Sequence, residues 1–442
     1  MLKNIFLWIL QNVFKVNTQT TQKEMEDNEK YAVEYEKIDS INFNSIFSNK
    51  LANYVINDSN INIIGENKRV DLLNNVVQSM WKKAKKMTSM GFGYGGVIIV
   101  PYVKGGKIYY NLVPQNRLTI DSMEGELITG ATVLADKKVI QKQIGNPKIY
   151  LRWTNYRVEN GNITIKQEFS DEKGNRIPVP DFWKNILDKQ TITGVDRALF
   201  GYLKSPVNNR KSNDKYGVPI TYGCEDTIKE IKETMKQLLD EYRAKKTFVG
   251  VDVTLFDGKN GLPRNGIYKG FDFGKDGENK FEIFDPQFRS YLDRLQELYQ
   301  RLEHEIGTSA GMISKVETQN ATATEIRRAM YDTFTIVDDM RTNLEKAMED
   351  FLYSANVLAN AYNLSPQGDY EVSFDWDYSL LEDSQEAFNQ LITAQGKGIV
   401  SDIEVRQWMK PDETLEESEK AIAEIKANEP TVEELIPNMN EE

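Results

Sequence analysis

The sequence predicts an α+β fold, and three features predict it. Strand-like segments pair around Gly105-Gly106 and Asn160-Gly161; two amphipathic helices of similar length flank a Gly-rich stretch with strand-like ends; and the segment from Ala323 to about Asn363 contains neither Pro nor Gly.

The elements follow in order. Met1–Val16 carries an apolar run, Ile5 to Leu10, too short for a membrane span and without a small-x-small cleavage site; it reads as a short apolar arm that docks on protein. Residues 20–90 read as helices, with Met80, Trp81, Ala84 and Met87 at helical spacing and Gly91 as the expected stop. Gly96–Val103 and Lys107–Val113 flank the first two-glycine turn, and Ile149–Val158 and Ile163–Phe169 flank Asn160-Gly161, a hairpin signal. A further turn is expected at Asp171–Asn175 and a polar stretch at Pro206–Asp214.

Glu225–Lys246 places Ile228, Ile231, Met235, Leu238, Leu239 and Tyr242 on one narrow stripe. Asp285-Pro286 opens a second helix that stops at Gly307, with a stripe through Phe288, Leu292, Leu295, Leu298, Leu302 and Ile306. Between them, Phe248–Phe284 holds seven glycines in 37 residues. Two helices around a small β module predict an antiparallel stalk with a tip. Thr308–Asn320 reads as a polar loop, followed by roughly 60 Å of helix. The apolar positions of that helix wander around it, which predicts burial on several sides or a kink. Ser401–Glu404 and Thr414–Glu417 are capping-box patterns, and the tail from Asn428 reads as disordered.

Composition narrows the chemistry. Among 442 residues there is one His and one Cys, which excludes disulfide frameworks, Cys-rich zinc modules and HExxH sites. The net charge of −12 is concentrated: residues 381–442 hold 16 acids and 5 bases, leaving −1 on the rest. Such a chain lacks the basic face of a tight, sequence-reading DNA binder.

Four motifs bear on chemistry. Gly91–Gly96 (GFGYGG) has the letters of a dinucleotide fingerprint, but a helix precedes it and a strand follows, so no helix N-terminus faces a phosphate; it reads as a tight helix-to-strand crossing. His304 reads as an exposed helix-end residue and Cys224 as a small buried one. Asp375, Asp377, Glu382 and Asp383 surround strand-like Tyr370–Tyr378, and paired carboxylates can hold a divalent cation, but no Lys or His completes a set. The rival readings are therefore a metal-dependent nuclease or nucleotidyl transferase using Asp375 and Asp377, and a membrane-associated helical adaptor using the apolar arm.

The order helix, β module, helix, loop, long helix resembles the portal (head–tail connector) family of tailed double-stranded DNA bacteriophages. Ser89–Tyr102 (SMGFGYGGVIIVPY), His304–Ser314 (HEIGTSAGMIS) and Ala321–Phe334 (ATATEIRRAMYDTF) carry the resemblance. It implies a portal-like α+β fold: a helix-rich wing with β-hairpins (1–220, with the arm 1–16), an antiparallel stem (221–247 and 285–307), a clip (248–284), a tunnel loop (308–322), a long kinked wing helix (323–363) and an α-helical crown (364–442). It further implies a ring, typically of twelve subunits, at one capsid vertex in the virion after assembly in the host cytoplasm. Double-stranded DNA passes through it non-specifically, and a terminase motor, a head–tail adaptor, the major capsid protein and a scaffold dock on it. No catalytic residue, cofactor, metal or stable membrane contact is implied. The resemblance places Ser309, Met312, Ser314, Lys315, Glu317, Thr318, Gln319 and Asn320 at the channel, and Asp257, Lys259, Asn260, Arg264, Lys269 and Lys275 on the clip's partner surface. The residues agree with it in one respect: Glu225–Lys246 has six acids and six bases, a balanced surface on which duplex DNA would not stick.

Overall fold

The computed structural model describes residues 19–38, 40–141, 147–210, 215–243, 248–252, 267–271, 281–284, 288–315, 323–376, 391–410 and 413–427. Met1–Trp376 forms one compact unit and Asp377–Glu442 a second.

In the first unit, helices α1 (Gln19–Tyr35) and α2 (Phe43–Ile56) share one residue at their junction. The Asn42 side chain accepts from the Ser45 N–H at 2.9 Å, capping α2, and its amide donates to the carbonyls of Glu34, Tyr35 and Lys37 at the end of α1. Strand β1 (Asn60–Ile64) leads to α3 (Lys68–Trp81), capped by Asn67 through the N–H groups of Arg69 and Val70. The expected continuous helix breaks at Lys82-Lys83 and resumes as α4 (Ala84–Tyr94). It stops at Gly95, not Gly91, because Gly95 is the residue with left-handed φ (83°).

Strands β2 (Gly96–Lys104) and β3 (Lys107–Pro114) form the first hairpin, with positive φ at both Gly105 and Gly106. Next come β4 (Leu118–Glu124), β5 (Leu127–Ile140), β6 (Lys148–Glu159), β7 (Asn162–Asp171) and β8 (Lys189–Thr193), an antiparallel sheet in sequence order. Its β6–β7 turn has Asn160 at φ 51° and Gly161 at φ 71°, as a type I′ turn requires. Strand β9 (Gly201–Lys204) returns to the first sheet beside β2.

The stem is α5 (Glu225–Arg243) and α6 (Phe288–Ile306), packed antiparallel. Thr227 donates to Glu305 at 2.9 Å near one end, and the rings of Tyr242 and Phe288 lie 6.0 Å apart near the other. Ile228, Ile231, Leu295, Leu298 and Leu302 are buried along the stem. Between the helices, β10 (Phe248–Asp252) and β12 (Phe281–Phe284) pair antiparallel from Phe248↔Phe284, and β11 (Ile267–Phe271) lies parallel on the other side of β10.

Helix α7 (Ala323–Ala361) runs uninterrupted for 39 residues. Leu344, Phe351 and Leu352 enter the main core with Phe47, Leu73, Met80 and Phe92, while Leu358 enters a second core with Ile120, Val133, Tyr156 and Phe200. Serving two cores accounts for its wandering apolar pattern. Strand β13 (Glu371–Asp375) pairs antiparallel with β1, so residues 364–376, expected in the crown, belong to the first unit. In the second unit, α8 (Asp402–Met409) and α9 (Leu415–Ala427) begin with the two expected capping boxes, and Arg406 grips Glu413 with two nitrogens at 2.7 and 3.0 Å.

One half-buried acid carries a pH prediction. Asp121 on β4 accepts from Thr132 at 3.1 Å with one oxygen, while its other oxygen is buried without a hydrogen bond. Burial pushes its pKa up to about 6, against the pull of Thr132, Lys215 and Arg157. The folded pKa lies above the unfolded value of about 3.9, so the fold prefers the protonated acid. Its contribution is full below about pH 4 and is lost as pH rises through about 6. Asp121→Asn is therefore expected to stabilise the protein by roughly 1–3 kcal/mol at pH 7 and to flatten the fall in Tm between pH 4 and 7. Thermal melts across that range check it; a variant as pH-sensitive as the parent would refute it.

Candidate functional site

The segment after the stem is built from the end of α6. Gly307, at φ 83°, turns the chain out of the helix, and the N–H groups of Gly307 and Thr308 bond the carbonyls of His304 and Glu303 at 3.0 and 2.9 Å. The chain then folds over Glu303, which is buried at 1% exposure. The Glu303 carboxylate accepts the N–H groups of Gly311 and Ser314 at 3.2 and 2.9 Å, the N–H of Ile313, and the Ser314 hydroxyl at 2.6 Å. Ser309 and Thr333 exchange two bonds: the Ser309 N–H donates to the Thr333 hydroxyl at 2.9 Å, and the Thr333 N–H to the Ser309 hydroxyl at 3.3 Å. Lys50 on α2 donates to the Met312 carbonyl, and the Met312 side chain joins the main core. Gln296 on α6 bonds both the N–H and the carbonyl of Lys315, at 3.1 and 2.9 Å.

This geometry corrects part of the sequence reading. Ser309, Met312 and Ser314 were expected to project into a channel, but their side chains are buried within the chain and committed to Thr333, the core and Glu303. A short polar side chain beside a buried carboxylate satisfies it instead of meeting a ligand. Lys315 is exposed. Glu317, Thr318, Gln319 and Asn320 lie outside the described residues, as do Asp257, Lys259, Asn260, Arg264 and Lys275. The backbone of Lys269 sits in β11 opposite Gly250.

Glu303 is the buried organising residue of this segment, and sequence reasoning missed it. It lies one turn from both Tyr299 and Ile306, which places an acid on the packed face, and glycine and serine N–H groups follow the helix end. That combination was the available signal.

The other motifs resolve simply. GFGYGG is a packing device: a Cβ on Gly93 would fall 2.2 Å from the Tyr35 ring, and one on Gly217 would fall 1.9 Å from the Gly95 carbonyl oxygen. These are contacts of backbone with protein, as the helix-to-strand reading expects. Cys224 is buried, and burial pushes its thiol up to about 12. His304 is exposed. Asp375 is exposed at the end of β13, Asp377 lies outside the described residues, and among the described residues no three His, Cys, Asp or Glu side chains gather to hold a metal ion. No helix among the described residues is long and apolar enough to cross a membrane, and the arm 1–16 lies outside them.

On the stem, Leu239, Tyr242 and Leu292 are 46%, 54% and 55% exposed, so the single chain leaves part of both apolar stripes uncovered.

No curated protein matches the chain. Among solved structures, a chain of the virion of a native gene transfer agent particle is 13% identical with a TM-score of 0.45, covering 86% of this chain and 92% of that one. A chain of the neck of a native gene transfer agent particle, computed with C12 symmetry, is 13% identical with a TM-score of 0.44, covering 87% and 93%. The sequence profile described as "Phage portal protein, SPP1 Gp6-like" matches residues 11–431. That match spans nearly the whole sequence, body, stem and both terminal helices of the second unit included, and the chain belongs to the SPP1 Gp6-like family of phage portal proteins.

Proposed function

We propose that this bacteriophage virion structural protein closes into a ring of about twelve subunits, on the family resemblance, at the portal vertex of the capsid after assembly in the host cytoplasm. The ring is the channel through which a terminase motor, supplied by another chain, drives DNA in, and through which DNA later leaves. A head–tail adaptor, the major capsid protein and a scaffold dock on its outside. The observation that carries the reading is the stem. Its apolar stripes are only partly covered by its own two helices, with Leu239 and Leu292 46% and 55% exposed and able to meet a neighbouring copy. A closed ring of heterologous contacts supplies such a neighbour to every subunit. The balanced charge of Glu225–Lys246 leaves the remaining surface weakly attractive to phosphates, which suits DNA that must slide. The tunnel role narrows to Lys315, Glu317, Thr318, Gln319 and Asn320, since the side chains of Ser309, Met312 and Ser314 are buried.

Native mass measurement and negative-stain images of the purified protein test it. A discrete oligomer of about twelve subunits with a central hole is expected. A monomer at every concentration and salt condition would sink the proposal.

A further inference from the structure

We infer that residues 308–315 act as a rigid coupler between the stem helix α6 and the long helix α7, with Glu303 as its positioning residue. The inference deepens the channel reading and rests on it for its role in DNA passage, since the coupler sets the position of the chain entering the proposed tunnel residues.

Three joints build the coupler. At its start, Ser309 and Thr333 bond each other in both directions, at 2.9 and 3.3 Å, and tie the segment to α7. In its middle, three backbone N–H groups and one hydroxyl converge on the buried Glu303 carboxylate and tie it to α6. At its end, Gln296 bonds Lys315 in both directions and ties it to α6 again. The Lys50 bond to the Met312 carbonyl and the burial of the Met312 side chain fill the space beneath.

Among the described residues Glu303 forms no ion pair; its partners are dipoles that the chain presents only in this conformation. Hydrogen bonds to an ionised acceptor are stronger than neutral ones, and a buried carboxylate that loses them is left without water to replace them. The segment therefore has one favoured arrangement despite its glycines and serines. A shift of α6 carries residues 311–315 with it, and Ser309 passes the shift to Thr333 on α7.

Hydrogen exchange of the full-length protein, resolved to single amides, tests this over residues 308–315 and 330–336. Glu303→Gln leaves one acceptor oxygen and sets an amide N–H against the chain's own donors. It is expected to speed exchange in 308–315 by at least about tenfold. Thr333→Val removes the acceptor of the Ser309 N–H and leaves the backbone N–H at 333 bonded to the Ser309 hydroxyl; if the coupler acts as a unit, exchange rises at Gly311, Ile313 and Ser314 as well as at Ser309. Unchanged exchange in Glu303→Gln, or a Thr333→Val effect confined to Ser309, overturns the proposal. Should Glu303→Gln fail to fold, Ser314→Ala removes a single bond from the same carboxylate, and unchanged exchange there overturns the proposal equally. These rates are read on ring or single chain alike. A protein that never forms a ring sinks the channel reading and leaves the coupler standing, and slack joints in a well-formed ring do the opposite.

Discussion

Replacing residues 248–284 with a short Gly/Ser link is expected to reduce DNA packaging to background and to weaken the ring, while the remainder of the chain stays folded. The stem tolerates the replacement because Tyr242 and Phe288 already bring the two helix ends together, with ring centroids 6.0 Å apart. The loss follows from the tip's own construction. Its 37 residues lie below the size at which a β module usually buries a sufficient core alone. Among the described residues of one chain, β11 and β12 each pair only with β10, one on either side of it. The proposal is that neighbouring copies pair along their far sides, and that the assembled rim meets the motor and then the adaptor. Packaged DNA per particle and the ring fraction at fixed concentration are the measurements. Normal packaging by the replacement would remove the tip from the docking surface.

Arg69→Ala is expected to cost about 2–3 kcal/mol of stability, read as a lowered urea midpoint. Arg69 is buried at 1% exposure, and its bonds go to the end of α7 and the turn beyond it. Its Nε donates to the Ser365 hydroxyl at 2.8 Å, one terminal nitrogen to the Asn360 side chain and the Ser365 carbonyl at 2.8 Å each, and the other to the Asn356 side chain and, at 3.2 Å, the Asn356 carbonyl. The acceptors are neutral; the cation is stabilised by carbonyl and amide oxygens at the negative end of the helix dipole. Alanine would leave a cavity where the buried guanidinium sits and strip these half-exposed oxygens of their donor. Lysine restores the charge but cannot reproduce the planar fork, so Arg69→Lys should recover only part of the loss. A midpoint unchanged in Arg69→Ala would show that the acceptors find other partners.

What the sequence could reveal divides by the reach of the interaction. The two hairpins were legible because Gly105-Gly106 and Asn160-Gly161 supply positive φ at adjacent positions, a property of the residues themselves. The stem was legible from one stripe per helix, and the capping boxes from residues three apart. Arg69 gave no local sign of its role, since Asn356 and Ser365 follow it by nearly 300 positions. Arg341, which donates to the carbonyls of Tyr54 and Val55 and lies 5.1 Å from the Trp376 ring, was hidden for the same reason. The serines after Gly307 misled because a polar residue on a loop looks solvated until its buried carboxylate is seen. Gly91 misled as a helix stop because either glycine could end the helix, and only the backbone conformation at Gly95 decides between them.

The pairing of β1 with β13, Asn60↔Asp375 through Ile64↔Glu371, sets a constraint on how the protein is made. A ribosome releasing roughly 5–20 residues per second needs tens of seconds to cover the interval between the two strands. Until then β1, whose Ile61 and Ile63 end fully or almost fully buried, has no strand partner, and α3 lacks the α7 oxygens that receive Arg69. Closing so long an excursion is a late and slow step, because its entropy is lost before the contacts form. Each nascent chain thus carries an open strand edge during synthesis. Expression at lower temperature or with a holding chaperone present should raise the yield of correctly assembled protein more than it raises total synthesis.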